Sequence, residues 1–410
     1  MKHVVTLENF IRLLAVALLS YAIIFRPLSH MFSWKHETLA PSGKELEAAQ
    51  TTEQGLKLLE AAEKVKNDLI PLLVMGCNRV SITKAIDPLF KHRPNETRFP
   101  IFVSLGCNKA EVLETVKSMY GDSVNIWQYP PVPDNLIGTH NAVTLHYYQA
   151  LKKIFENTDF NQVIILEDDL EISPDFFSYF IETLPLMYLD PSLYCISSWN
   201  DQGMSRFTSD PSRLLRTDSM PGLGWLLTRV VFESISPFTQ EAYWDNWMRN
   251  DAQRKGRQCI IPEMPRNRNF GKEGTSAGQW YDEYIATAAF VNESLAVDFG
   301  SMRLYLTTLM EPTYQESMVQ ATYLNSALVS WDWDARGPRL EGIQNFENAT
   351  SLRVEYGSEA ELENLMVQIG LFPDRREGVF RSSYRGIVSY RFKPELLVYL
   401  VPREGFYKEL

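Results

Sequence analysis

Histidine and cysteine are both scarce in this chain of 410 residues, at six and four. None of Cys77, Cys107, Cys195 and Cys259 has CxxC spacing, which argues against a zinc site. The histidines are scattered and offer no ligand cluster for a metal-dependent phosphatase or hydrolase. Positive charge is in deficit, with 40 Lys and Arg against 51 Asp and Glu, a net charge of −11 and a pI near 5.2. That balance argues against a nucleic-acid binder, which presents a basic face. The GxGxxG and GxxxxGKS phosphate loops are missing, as are internal repeats and low-complexity tracts. The strongest apolar run is Phe10–Phe25, with Arg12 its only charge. It is short for a membrane-spanning helix of about 20 residues, so a signal peptide, a short anchor and a buried helix stay open. No clear small-x-small cleavage site follows it. Lys2 before it and Arg26, His30 and Lys35 after it leave orientation undecided.

What is present is globular in character: 45% hydrophobic and 12% aromatic, in a length that suits one large or two moderate domains. Asn95-Glu-Thr, Asn292-Glu-Ser and Asn348-Ala-Thr are N-glycosylation triplets. Four cysteines pair in three ways and sequence does not choose among them. Two disulfides in an oxidising lumen are the expectation. Ser42–Leu69, rich in Ala, Glu, Lys and Leu, reads as a helical spacer.

Beyond it, "LIPLLVMGCNR" and "FPIFVSLGCN" are apolar runs ending in Gly-Cys-Asn, with "SITKAIDPLFKHR" at helical spacing between them. "AEVLETVKSMYG" and "HNAVTLHYYQALKKIFENT" predict further amphipathic helices and "QVIILEDD" a buried strand. Such alternation predicts an α/β layer with a mostly parallel sheet, whose ligands collect at the carboxyl ends of the strands. The ends carry Arg79, Asn108 and the triplet Glu167, Asp168 and Asp169. The last stretch, 286–410, alternates like strands in "SLRVEYG" and "GIVSYRF" and like a helix in "ELENLMVQIGLF", predicting a smaller α+β domain.

Three adjacent carboxylates at a buried strand's end repel one another and call for a cation. A divalent metal with oxygen ligands, shared with a nucleotide diphosphate, answers that need; so would arginines, and a solvated acidic turn is the plain alternative. In "PGLGWLL" two glycines flank Leu223, which suits either a close backbone approach to a ligand or a tight turn. In "YWDNWMRNDAQRKGRQCIIPEMPRNRNFG", Trp244 and Trp247 bracket Asp245. Aromatics beside a carboxylate suit a sugar site with a general base; Asp245 as a helix cap is the rival reading. His146 alone reads as a core or surface histidine, and Arg79 as either a phosphate contact or a solvated arginine.

Taken in order, "ILEDDLEISPDFFSYF", "CISSWNDQG", "RTDSMPGLGWLL", "WDNWMR", "QRKGRQCIIPE" and "GTSAGQWYDEY" resemble the N-acetylglucosaminyltransferase I family, from about Ile70 to the end and including "SYRGIVSYRF". The resemblance implies a type II Golgi membrane enzyme with a nucleotide-sugar-binding α/β fold of glycosyltransferase A type. Its parts would be a tail at 1–9, an anchor at 10–25, a stem at 26–69, a catalytic domain at 70–285 and a smaller domain at 286–410. It implies inverting transfer of GlcNAc from UDP-GlcNAc to the 2-hydroxyl of an α-1,3-linked mannose on high-mannose N-glycans, with Mn²⁺. In that scheme Asp169 binds the metal, Asp168 and Glu167 contact ribose and donor sugar, and Asp245 is the catalytic base. Trp244 and Leu223 line the donor pocket, while Arg79, His146 and Ser276 match nucleotide-binding positions. The implied disulfides are Cys77–Cys107 and Cys195–Cys259. The relative acting on protein O-linked mannose shares several blocks and ranks second, since the short stem and the "YRGIV" block fit the first better. A membrane-tethered sugar binder without catalysis is a third reading, against which Asp169 and Asp245 both stand. Two departures are visible. Gly106 takes the place of the family's acidic residue that helps hold uracil, a role Asn108 could rebuild. Asn246 replaces the second aspartate of WDDW.

Overall fold

Short runs of branched aliphatic residues can bury both faces only inside a sheet covered by helices. That is where β1 (Leu72–Gly76), β2 (Ile101–Leu105) and β4 (Gln162–Glu167) lie, with β3 (Asn125–Gln128) at the edge. The computed structural model describes residues 52–129, 139–235, 243–334, 337–341 and 350–403. The apolar run Phe10–Phe25 and the acceptor Asn348 fall outside them. Among the described residues no helix is long and apolar enough to cross a membrane.

Eight strands form the main sheet in the order β3-β2-β1-β4-β8-β6-β9-β7, with β6 (Leu193–Ser197), β7 (Leu214–Thr217), β8 (Trp225–Thr228) and β9 (Gln258–Pro262). Pairings β1–β2, β2–β3, β1–β4 and β6–β9 are parallel; β4–β8, β6–β8 and β7–β9 are antiparallel. The sheet is therefore mixed and mostly parallel. Helices α1 (Glu53–Val65), α2 (Thr83–His92), α3 (Ala110–Tyr120), α4 (His140–Glu156) and α5 (Phe176–Leu189) accompany these strands. The chain steps outward from β1 to β2 to β3 and then returns to place β4 on the other side of β1. That reversal opens a crevice beyond the carboxyl ends of β1 and β4, where open α/β sheets bind ligands.

Both disulfides lie on this sheet. Cys77 and Cys107, just past β1 and β2, have Cα atoms 4.8 Å apart. Cys195 and Cys259 face each other across parallel strands at 4.6 Å. This is the pairing implied by the family resemblance.

One feature differs from the sequence reading. The segment read as a spacer supplies α1, capped by Thr52, whose hydroxyl accepts from the Gly55 amide at 3.0 Å. Its Leu58 is fully buried and Val65 nearly so, both within the main core, so the folded body begins ahead of Ile70. The physical reason is the apolar face of α1, which closes over α5 and leaves the charged residues in water. The later chain forms a four-stranded sheet in the order Ala327–Leu328, Ser351–Tyr356, Leu396–Pro402, Val388–Lys393, with a helix at Glu359–Ile369. Its own apolar cluster includes Leu352, Met366 and Val398. The strand Leu396–Pro402 also sends Tyr399 and Val401 into the main core, and Gln202 exchanges two hydrogen bonds with the backbone of Phe372.

Candidate active site

Glu167 ends β4 in register with Met75 of β1, so Asp168 and Asp169 emerge directly beside Gly76 and Cys77 at the crevice. A short ribbon follows, in which Leu170–Ile172 (β5) pairs antiparallel with Asn267–Asn269 (β10). The ribbon turns the chain back, so that the triplet is covered instead of projecting into water. Asp168 and Asp169 are only 4% and 5% exposed.

The groups around them account for the crowding. Arg79, brought there by the turn after β1, ion-pairs with Asp168 and lies 3.0 Å from Asp169. Its other nitrogen donates to the Glu273 carbonyl. The Cys77 amide donates to Asp168 at 3.1 Å, and Asn269 donates to Asp169 at 3.2 Å. Tyr147 of α4 donates to Glu167 at 2.7 Å. Even so, among the described residues Arg79 is the one cation within ion-pair distance of the triplet. Burial, reinforced by the Asp169 charge, pushes Glu167 up to about 8. Burial likewise pushes Asp169 up to about 6, against the pull of Arg79, and raises Asp168. One guanidinium does not balance this cluster, and the excess negative charge suits a divalent cation. No three His, Cys, Asp or Glu side chains among the described residues converge as a ready-made cage. The residues present therefore fit a divalent cation through one or two carboxylate oxygens.

Asp245 stands on the short helix α6 (Trp244–Arg249). The cap of that helix is Tyr243, which makes no side-chain capping bond, so the capping reading of Asp245 gives way. Its carboxylate instead meets Arg249 at 2.5 Å, the i,i+4 partner one turn on. Burial would raise the Asp245 pKa, but the Arg249 charge and hydrogen bond outweigh it and hold the group below the usual carboxylate range. Arg249 also donates to the Met220 carbonyl at 2.9 Å, so a single buried guanidinium joins Asp245 to the loop before Leu223.

An aromatic stack supports α6. Trp244 lies parallel to Tyr147, centroids 3.9 Å apart, and to Trp225 at 5.9 Å. The Trp244 amide donates to Thr144 of α4 at 3.1 Å. Trp244 is only 8% exposed, so it serves here as packing beneath the loop more than as an open pocket wall. Leu223 is half-buried between Gly222 and Gly224, both at positive φ, and its carbonyl accepts from Asn267 at 3.0 Å. The turn reading of "PGLGWLL" holds: the glycines turn the chain and bring Gly222 against Trp244.

His146, on α4, is buried and shares a 2.8 Å hydrogen bond with Ser104 of β2, which bonds in turn to Tyr129. Burial lowers its pKa to about 4, so the ring is neutral. Gly106 lies against that ring: a Cβ there would stand 2.5 Å from His146 Nδ1. The site has no room for an acidic side chain at this position with the imidazole where it is. Asn108 does not substitute for one as found, since its amide donates to the Tyr129 carbonyl at 2.9 Å. Ser276 is exposed on the loop after β10, three residues past the Glu273 carbonyl that meets Arg79. The sequence reading missed Tyr147 and noted Arg249 only as one of the bases after Trp247; its i,i+4 spacing from Asp245 was the signal for the pairing.

A family model described as GNT-I family matches residues 29–409. The Arabidopsis thaliana protein named alpha-1,3-mannosyl-glycoprotein 2-beta-N-acetylglucosaminyltransferase is 34% identical over 340 residues, 80% of this chain and 73% of its own length. Among solved structures, the mannosyltransferase PcManGT from Pyrobaculum calidifontis in complex with GDP-Man and Mn²⁺ is 12% identical with a TM-score of 0.34, over 68% of this chain and 86% of its own. S. aureus TarS in complex with UDP-GlcNAc is also 12% identical with a TM-score of 0.34, over 62% and 72%. Likeness at these scores carries no inference about this chain.

Proposed function

The chain belongs to the GNT-I family, and from that premise we propose that it transfers N-acetylglucosamine from UDP-GlcNAc to the 2-hydroxyl of the α-1,3-linked mannose of high-mannose N-glycans. It is an N-acetylglucosaminyltransferase, and the reaction inverts the anomeric centre. The observation that carries the assignment is the buried triplet at the β1/β4 crevice, bridged through Tyr147 and Trp244 to a separately held, ionised Asp245.

The residues divide the work. The acceptor O2 forms a bond to the donor's anomeric carbon as the bond from that carbon to the diphosphate oxygen breaks, and UDP departs with the electron pair. Asp245 accepts the proton from O2; Arg249 keeps the carboxylate ionised and fixed. A single displacement needs only this one base, unlike the carboxylate pair of many glycosidases. Asp169, with Asp168 and Glu167 around it, would hold Mn²⁺, which when bound neutralises the charge on the leaving diphosphate. Arg79 adds a fixed positive charge beside the same groups. His146, neutral and anchored by Ser104, offers a buried ring edge for the nucleotide base.

A Golgi lumenal location, with residues 10–25 as a type II anchor, accords with the family and with two disulfides suited to an oxidising compartment. The test is incubation of the protein with UDP-GlcNAc, Mn²⁺ and either a high-mannose N-glycan or a mannosyl peptide, read by product mass. One added N-acetylhexosamine on the N-glycan alone is the expected result. Transfer to the mannosyl peptide alone, or to neither, overturns the assignment.

A further inference from the structure

A cavity of about 380 Å³ opens on the far side of the β5–β10 ribbon, lined by Phe290, Asn292, Pro88, Ile172, Lys91 and Glu171 among others. None of these residues belongs to the donor or acceptor machinery. The volume lies within the range of small-molecule pockets. Its wall is amphipathic: a ring, a proline and an isoleucine beside a carboxylate and an ammonium. That is the chemistry a pyranose matches, since a sugar ring has an apolar face of C–H groups and an edge of hydroxyls.

The cavity also contains the acceptor asparagine of a glycosylation triplet. Asn292-Glu-Ser is exposed, between the buried Val291 and the core-packed Leu295. The Asn292 side-chain oxygen accepts from the Ser294 amide at 3.0 Å and from the Ser294 hydroxyl at 2.7 Å. Its nitrogen, the atom that carries an N-linked sugar, has no partner among the described residues. Phe290 stands two residues earlier in the sequence. Its ring is held on one side by Arg268, whose guanidinium lies 4.8 Å from the centroid and bonds Glu171 at 2.7 Å. The aromatic surface is thus set before any sugar arrives, so little ordering is lost on contact.

We propose that Asn292 carries an N-linked glycan whose first N-acetylglucosamine seats in this cavity against Phe290. The inference rests on the lumenal location proposed above. The donor is a lipid-diphosphate-linked oligosaccharide of the secretory pathway. Asn292 Nδ2 loses a proton to a base of the host oligosaccharyltransferase and bonds to the sugar's anomeric carbon, while that carbon's bond to the diphosphate oxygen breaks and the lipid diphosphate leaves. Asn95 lacks such a seat: Arg93 and Pro94 precede it, and its oxygen accepts from the Arg98 amide at 2.8 Å in an exposed turn.

The full chain, secreted or membrane-bound from a eukaryotic host, tests this by glycopeptide mass at Asn292 and by the rate of amidase release of that glycan from the native protein. The expected result is an occupied Asn292 whose glycan is released about fivefold more slowly than from Phe290→Ala, the factor a single ring contact supplies. Asn292→Gln should lower the melting temperature while leaving transferase activity unchanged, which separates this proposal from the catalytic one. Glycan at Asn95 with Asn292 bare overturns the seat while leaving lumenal entry intact. No glycan at either site overturns both. Equal release from wild type and Phe290→Ala shows a sugar that does not occupy the cavity and also refutes the proposal.

Discussion

The Tyr147 hydroxyl donates to Glu167 at 2.7 Å while the face of the same ring stacks on Trp244 at 3.9 Å. One side chain of α4 therefore touches both halves of the site: the acidic triplet at the end of β4 and the helix bearing Asp245. Position and protonation are linked through it, because Glu167 is buried and its neighbours are carboxylates. Tyr147→Phe should keep the stack and lose the bond, destabilising the fold by about 1 kcal/mol and lowering kcat more than it raises KM for UDP-GlcNAc. Tyr147→Ala should cost about 3–5 kcal/mol by emptying a buried aromatic site. Chemical denaturation alongside steady-state kinetics checks both.

Arg249 holds Asp245 ionised, and the sign of its removal is definite. Without the guanidinium the folded-state pKa of Asp245 rises, so the base takes up a proton at higher pH. Arg249→Met should move the acidic limb of the kcat/KM–pH profile upward. An unchanged profile would mean that another group carries the limb. Arg249→Lys should restore part of the shift but not the bond to the Met220 carbonyl, since an ammonium lacks the guanidinium fork.

The metal-free protein should lose stability as pH rises from about 6.5 to 8. Glu167 keeps its proton in the fold up to about 8, whereas in the unfolded chain it releases it near 4.3, roughly. Across that window the folded state binds more protons, and stability falls with pH. His146 works in the opposite sense, lowered to about 4, but its contribution fades above its ordinary value near about 6.5, where that of Glu167 continues. Thermal unfolding of Glu167→Gln should therefore flatten the decline between these limits, and added Mn²⁺ should diminish it in the wild type.

Gly106→Ala is expected to be damaging out of proportion to its size. Its Cβ would stand 2.5 Å from the His146 ring, and the ring is buried and tied to Ser104. The overpacking should cost about 1–3 kcal/mol and weaken UDP binding measured calorimetrically. A variant that combines Gly106→Ala with His146→Ala should lose less than the sum of the two single changes, because the three atoms nearest the added Cβ all belong to that ring.

Much of the fold was readable because its central strands are apolar runs with abrupt polar ends; β1, β2 and β4 and the triplet that follows β4 need no partner information to be found. Asp245 was singled out in sequence by its flanking tryptophans, and its role as base is the proposal made above. The helix at Glu53–Val65 was read as a spacer, since the residues that cover its apolar face come from α5, more than a hundred positions later, and its own composition is polar. Tyr147 gave no signal at all: in sequence it is one of two adjacent tyrosines on an amphipathic helix, and only the packing of α4 against the end of β4 gives its hydroxyl a carboxylate to meet. Asn108 was a reasonable substitute for an acid in sequence, yet its amide is taken up by the backbone of Tyr129. Those contacts depend on register between distant strands, which local pattern does not encode.

The central claim is that Asp245 takes the acceptor's proton while the triplet holds the donor. Its most direct measurement pairs transfer and binding in Asp245→Asn: product mass from UDP-GlcNAc and a high-mannose N-glycan with Mn²⁺, and calorimetric titration of UDP-GlcNAc into the same sample. Transfer should fall by about 10²–10⁴-fold, the span of a lost general base, with donor affinity close to that of the wild type. Transfer at the wild-type rate, or a donor that no longer binds, would contradict it.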